Sequence, residues 1–400
     1  MRLSTAQIFQ QGIDNILTRQ ADVQQTQQQL ATGRRVSTPA DDPIAAVRIL
    51  DITEDVQRVE QYERNGDFAE SQLAFEETVL ADVANVLQRV RELAVTANNA
   101  SQSTESRRSI AVEVDARLEE LVTLANAQDS TGEYIFAGYQ AGEQPFSRSG
   151  GDVVYSGDDG QRSLQISGTT PVAVRDPGNA VFLDVPAGNG RFAIEADDAN
   201  AGTTTVRDTG ADSSYQRDDY SINFLQAAPG DPITYEVVDS SAAVVAAGNY
   251  ESGEVIAFNG AEVVFEGEPV VGDSFNIPAS PNQDMFTTLQ SIATSLRGAG
   301  DAPAEVAAVN NAMANGLRNI DQALGVALEK RADVGVRLSR VESQLGINED
   351  FTLQLQETLS DIQDLDYAEA ISRLNLQLVA LEAAQQTYVR TQGLTLFNFL

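Results

Sequence analysis

Asp364-Leu365-Asp366-Tyr367-Ala368-Glu369-Ala370-Ile371 opens a C-terminal run that reaches Phe397-Asn398-Phe399-Leu400, with no Gly or Pro between Asp366 and Gly393. Ile371, Leu374, Leu378 and Leu381 recur at spacings of three and four, the signature of an amphipathic helix. The same register carries Gln385 and Tyr388 into the apolar stripe. A stripe this narrow and partly polar is more like a coiled-coil seam than a broad core face, and it serves either helices that choose partners during assembly or an intramolecular helical bundle. Such a helix needs a mate, and the N-terminus offers one. Phe9, Ile13, Ile16, Gln20, Val23, Gln27 and Leu30 alternate spacings of four and three, again with two glutamines in the seam.

The first helix is expected to start near Ser4 or Thr5 and to stop at Gly33. A loop with marked borders follows: Pro39 disfavours helix at Thr38, and Asp42-Pro43 supplies the cap and first turn of a second helix. That helix extends toward Ala97, clearest at Val79, Val83, Val86, Val90 and Leu93, with Gly66 as its weak point. A polar turn over 98–106 leads to a third helix marked by Ile110, Val114, Leu118, Leu121 and Ala125. Helical spacing returns at Met285, Leu289, Ile292 and Leu296, pauses over 298–303, and resumes from Val306 to Leu345, where Gly346 and Asn348 suggest a break.

Between about 132 and 284 the period falls to two and Gly, Pro, Asn and Asp become frequent. Strands are expected over 152–155, 163–166, 180–185, 191–195, 233–238, 255–258 and 262–266, with Asn189-Gly190 and Asn259-Gly260 as hairpin turns. The fold class is therefore α+β: a long antiparallel helical bundle formed by both chain ends, with a β-rich domain inserted in the middle. The expected divisions are an N-terminal assembly helix and loop (1–43), the first half of the bundle (44–131), a β-rich outer insert (132–284), the second half of the bundle (285–360) and a C-terminal assembly helix (361–400).

Composition excludes much chemistry. With no Cys, His or Trp among 400 residues there are no disulfides, no thiolate sites, no Cys/His metal centres and no histidine proton shuttle. Acidic residues outnumber basic ones by 59 to 26, a formal charge of -33, which repels nucleic acid and anionic membranes. Asp158-Asp159-Gly160, Asp197-Asp198 and Asp218-Asp219 lack the spacing of a calcium loop or a carboxylate dyad in a cleft and read as solvated turns. No enzyme, metal or cofactor is expected. Neither a cleaved signal peptide nor a membrane-spanning run is visible, which taken alone places the protein in the cytoplasm.

Three separated motifs then become recognisable. They are Leu30-Ala31-Thr32-Gly33-Arg34-Arg35-Val36 with Thr38-Pro39-Ala40-Asp41-Asp42-Pro43-Ile44-Ala45-Ala46, Tyr134-Ile135-Phe136-Ala137-Gly138-Tyr139, and Asp366-Tyr367-Ala368-Glu369-Ala370-Ile371-Ser372-Arg373-Leu374-Asn375 with the Gln392 to Leu400 ending. Together they resemble the flagellin superfamily, and more closely its hook-associated protein 3 family, over about 1–145 and 280–400. The resemblance implies a structural subunit, self-assembling and exported unfolded by the flagellar type III route, that joins hook to filament. It overturns the cytoplasmic placement in favour of secretion to the hook–filament junction of the bacterial flagellum. Implied partners are other copies of the chain, a hook-associated protein on the hook side, flagellin on the filament side and an export chaperone. The alternatives are a flagellin-type filament subunit and, more distantly, a secreted adhesin carrying the insert as its head.

The candidate assembly residues are Phe9, Ile13, Ile16, Val23 and Leu30 at one end, and Ile371, Leu374, Leu378, Leu381, Tyr388, Leu396, Phe397, Phe399 and Leu400 at the other. Arg34, Arg35, Asp41 and Asp42 are candidate loop contacts; the two arginines either reach a neighbour's carboxylates or cap the exposed end of the first helix.

Overall fold

The computed structural model describes residues 5–99 and 102–393. Long helices occupy both ends of the chain: α1 (Thr5–Thr32), α2 (Pro43–Ala97) and α3 (Thr104–Ala125) before the β-rich region, and α4 (Met285–Arg297), α5 (Pro303–Gln363) and α6 (Tyr367–Gly393) after it. Two compact units result, one from the residues up to Asn65 together with those from Gln344, the other from Gly66–Ser343; the division falls within α2 and within α5.

In the larger unit the aliphatic stripe of α2 is buried from Val79 through Ala97, as the broad face in the sequence requires. Ion pairs tie the helices across their rims: Arg89 to Glu113 of α3 at 2.7 Å, Arg91 to Asp321 of α5 at 2.7 Å and Arg331 of α5 to Glu77 at 2.6 Å. The last two show α2 and α5 running antiparallel. Gly66 does not interrupt α2, and α5 passes unbroken through Gly346 and Asn348, contrary to the expected break. An isolated Gly inside a packed helix costs only about 1 kcal/mol, too little to end it. The chain turns instead at Asp364–Asp366, where the Asp366 carboxylate accepts the Ala368 N–H at 2.9 Å and starts α6.

The β-rich region consists of antiparallel pairs only. Two hairpins, β1 (Phe146–Ser149) with β2 (Asp152–Tyr155) and β3 (Ser163–Gln165) with β4 (Pro171–Ala173), precede two larger sheets. One sheet is ordered β5 (Glu195–Ala196), β12 (Ser274–Ile277), β7 (Tyr220–Leu225), β8 (Thr234–Val238), β9 (Val244–Asn249). The other is β10 (Val255–Phe258), β11 (Ala261–Glu266), β6 (Thr205–Ala211). Both contribute to one core in which Phe224, Phe265 and Phe275 meet at 4.7–6.1 Å. At Asn259-Gly260 both φ values are positive (44° and 79°), the two-residue turn that suits strand twist.

One expected strand does not form and another forms only at its last residue. Residues 180–185 lie mostly in a single π turn, Asn179–Leu183, which sets Phe182 among Phe136, Phe146 and Phe286 at 5.1–5.7 Å. That aromatic cluster outweighs the β-propensity of the Val-Phe-Leu run. Residues 191–195 do not fold back across Asn189-Gly190; Phe192 makes an isolated bridge to Ala279, and Glu195 alone enters a strand, β5, against β12. The turn there is held locally, Asn189 Oδ1 accepting the N–H groups of Arg191 and Phe192 at 2.9 Å.

Candidate assembly interface

The terminal helices α1 and α6 pair antiparallel. Phe9 meets Tyr388 edge-on, ring centroids 6.3 Å apart, and at the other end Gly33 O accepts the Leu365 N–H at 3.0 Å. The buried register keeps Phe9, Ile16, Val23, Leu30, Leu374, Leu381 and Tyr388 of the expected seam and moves its alternate positions by one residue. Phe9, Gly12, Ile16, Val23, Thr26 and Leu30 line the α1 side, and Ala370, Leu374, Gln377, Leu381, Ala384 and Tyr388 the α6 side. Gln20, Gln27 and Gln385 are exposed, as are Ile13, Ile371 and Leu378. The reason is one of size. Tyr388 lies so close over Gly12 that a Cβ there would meet its ring at 2.8 Å, and only glycine lets the helices approach on that side. The seam keeps its three-four spacing, with only every second position set one residue before the larger side chain.

That shift leaves the outward faces apolar. Ile371 is 51% exposed, Leu376 72% and Val379 65%. Leu376 and Val379 stand off the seam, and sequence reading confined to the heptad stripe passed over them, as it did Leu17, Val389 and the exposed Ile44, Val47 and Leu50 of α2. The missed signal is aliphatic side chains at positions that a solvated helix face would fill with charge. Among the described residues the smaller unit exposes fourteen large apolar side chains and buries seven hydrophobic ones, whereas the larger unit exposes twelve and buries fifty-seven. The smaller unit is short of a core. Leu396, Phe397, Phe399 and Leu400 lie outside the described residues.

The loop after α1 is clamped onto the turn before α6. Arg35 N donates to Gln363 O at 2.7 Å, and its Nη2 donates to Ile362 O at 2.7 Å. The guanidinium thus caps the C-terminal end of α5, where a cation is favoured, and not the end of α1. Arg34 bridges to Asp364 through its backbone, leaving its side chain exposed. Asp41 accepts the Thr38 and Ser37 N–H groups at 2.8 and 3.1 Å and the Gln25 amide at 2.9 Å. These bonds, led by the Thr38 N–H, hold its carboxyl below the ordinary range. Asp42 caps α2 through the Ala45 and Ile44 N–H groups at 3.0 and 3.2 Å and is likewise held low, with Arg35 at 3.5 Å assisting. Both carboxylates therefore support the loop at neutral pH and lose that role as pH falls below their ordinary range.

Gly33 is the pivot of this clamp. Its φ is +71°, and a Cβ would meet the Tyr367 hydroxyl at 2.8 Å. Gly33→Ala is expected to cost ~1–2 kcal/mol locally, raising hydrogen exchange at the Leu365 and Arg35 amides about tenfold or more. Unchanged exchange at both amides would refute the pivot.

The remaining acidic candidates serve turns. Asp158 accepts the Tyr139 and Gly160 N–H groups at 2.9 and 2.7 Å, Asp197 the Ala199 N–H at 2.9 Å and Asp219 the Ala279 N–H at 2.9 Å. Among the described residues no three carboxylates are placed to hold a metal ion, and no helix is long and apolar enough to cross a membrane.

Residues 3–141 match the bacterial flagellin N-terminal helical region, and residues 317–400 the bacterial flagellin C-terminal helical region. Flagellar hook-associated protein 3 of Escherichia coli K12 is 26% identical over 400 residues, covering 100% of this chain and 99% of that protein. The crystal structure of FlgL from Xanthomonas campestris is 34% identical with a TM-score of 0.72, over 77% of this chain and 99% of the other. That of the flagellar junction protein FlgL from Legionella pneumophila is 33% identical with a TM-score of 0.72, over 79% and 100%. With flagellin-type helical regions at both ends, full-length coverage of a hook-associated relative and a shared fold at one-third identity, the chain belongs to the flagellar hook-associated protein 3 family of junction proteins.

Proposed function

We propose that this chain is a structural subunit, not an enzyme, that joins the flagellar hook to the filament, and that its terminal helices become stably folded only as they dock into an inner coiled-coil layer. The imbalance in the smaller unit carries the reading: its exposed apolar side chains outnumber its buried ones two to one. Burying a large aliphatic side chain contributes about 1.5–3 kcal/mol, while ordering a backbone residue costs about 1–2 kcal/mol. A thin seam with Thr26 and Gln377 in it leaves little margin, and neighbouring copies supply the rest. The partners are further copies, a hook-associated protein on one side, flagellin on the other and a chaperone that covers the ends during type III export. Secretion to the junction follows from the same reading.

Hydrogen exchange along the free, full-length chain tests it. Exchange within seconds over α1 and α6, with slow exchange over α2 to α5 in the larger unit, is the expected result. In a strain lacking its own junction protein of this family, expression of the chain should restore filaments attached to hooks. Protection of α1 and α6 equal to that of α2 would remove the coupled-folding step, and filament growth from the purified chain alone would replace the junction role with that of a filament subunit.

A further inference from the structure

The β-rich insert contains a stretch without counter-charges of its own. From Asp218 to Leu296 there are twelve carboxylates and no lysine or arginine. In the helical part of the larger unit acidic side chains meet arginines across the helix rims, as Glu77, Glu113, Asp115 and Asp321 do. Among the described residues, Glu266 alone in the stretch has an ion-pair partner, Arg207 of β6. Most of the aspartates are taken up locally: Asp219, Asp239, Asp273 and Asp284 accept backbone N–H groups and shape turns. Glu251, Glu254 and Glu268 stand exposed.

The fold gathers these glutamates at one corner. The turn between β9 and β10, residues 250–254, lies across the end of β11. Gly253 N donates to Phe265 O at 2.8 Å, Gly267 N donates to Ser252 Oγ at 3.0 Å, and Tyr250 Oη donates to Gly267 O at 2.9 Å. Glu251 and Glu254 each adjoin a bonded residue of the turn, and Glu266 and Glu268 flank Gly267 on the other side. Four carboxylates thus share the corner with one cation, Arg207, which is already bonded to Glu266. Exposed like charges repel over the Debye length, about 30 Å in 0.01 M salt and about 3 Å in 1 M. A diffuse cloud of monovalent cations relieves that repulsion without any bound ion. We propose that the corner is an ionic-strength latch, in which the 250–254 turn closes on β11 in saline medium and loosens as salt is withdrawn. The turn carries the chain from the five-stranded sheet to the three-stranded one, so the latch sets how firmly the two sheets are joined.

Hydrogen exchange of the full-length chain reads the latch. Protection of the Gly253 and Gly267 amides, referred to Val83 and Leu87 in α2, should rise about five- to tenfold between about 0.02 M and about 1 M sodium chloride. Choline chloride should act as well, because screening is indifferent to the identity of the cation. Glu251→Gln combined with Glu254→Gln should show at low salt the protection that the parent reaches only at high salt, and should lose most of the response. Equal protection of the parent at both salt concentrations overturns the latch. So does a response that the double variant keeps in full, which would place the salt effect elsewhere, or one given by sodium and not by choline, which would make it a bound-cation site.

Discussion

Replacing Leu376 and Val379 together with glutamate is expected to eliminate attachment of filaments to hooks while leaving the purified subunit folded and soluble. The two positions are three apart on one face of α6, 72% and 65% exposed. Both side chains are mostly exposed in the free chain, so charging them removes little contact, and far-UV circular dichroism and elution volume should match the parent. In the assembly proposed above the same face is covered. Each substitution then forfeits about 1.5–3 kcal/mol of apolar burial and adds the cost of desolvating an unpaired carboxylate. At about 1.4 kcal/mol per tenfold, the double variant should incorporate at least a thousandfold less well. Swimming and electron microscopy of hook ends read the outcome. Val255→Glu, an exposed aliphatic position on β10, serves as the comparison and should incorporate normally. Normal attachment by the α6 double variant would mean that this face of α6 meets no neighbour.

How far the sequence discloses the molecule depends on where its physics is local. Gly33 and the Asp42-Pro43 pair marked the ends of α1 and the start of α2 because caps and left-handed stops are single-residue effects. Asn259-Gly260 was equally legible. Strands β7 and β12 carried a readable alternation in Tyr220, Ile222, Phe224 and in Phe275, Ile277 that was not used, whereas β6, Thr-Val-Arg-Asp-Thr-Gly-Ala, carried almost none. β6 exists because β11 supplies its partners, a non-local fact. The seam between α1 and α6 was visible as a pattern, with its alternate positions displaced by one residue. Periodicity gives a face only to within the drift between 3.5 and 3.6 residues per turn, and the contact of Gly12 with Tyr388 selects which neighbouring register closes. The family motifs located the clamp, but that Arg35 serves α5 rather than α1 required the geometry. Glu76 gave no signal at all, since it looks like one more charge on a helix until its surroundings are known.

Glu76 should make the stability of the larger unit fall as pH rises, and Glu76→Gln should remove that decline. The side chain is fully buried on α2; Oε1 accepts the Asp176 N–H at 2.9 Å, and Oε2 has no hydrogen-bond partner. The nearby cations are committed elsewhere, Arg337 to Asp176 and Arg175 to Asp129 and Glu133. Burial, reinforced by the charge of Asp176 and opposed by Arg337, pushes this carboxyl up to about 8 from an ordinary 4.5. Between those limits the unfolded chain gives up the proton and the folded chain keeps it. Stability from this group is therefore whole below the lower limit, declines by at most about 1.4 kcal/mol per pH unit across the window, and levels off above the upper one. The expected loss is on the order of a few kcal/mol. Glutamine keeps the shape and the acceptor, and its amide N–H stands unpartnered at Oε2 just as the carboxyl O–H of the protonated parent does. The variant should thus lie near the parent at pH 5 and be the more stable chain by pH 8 to 9, so that the two curves from urea unfolding diverge as pH rises. Groups common to both chains cancel in the difference. A difference that stays constant from pH 5 to 9 would show that Glu76 is ionised in the folded protein, with its charge met by Arg175 or Arg337 after all.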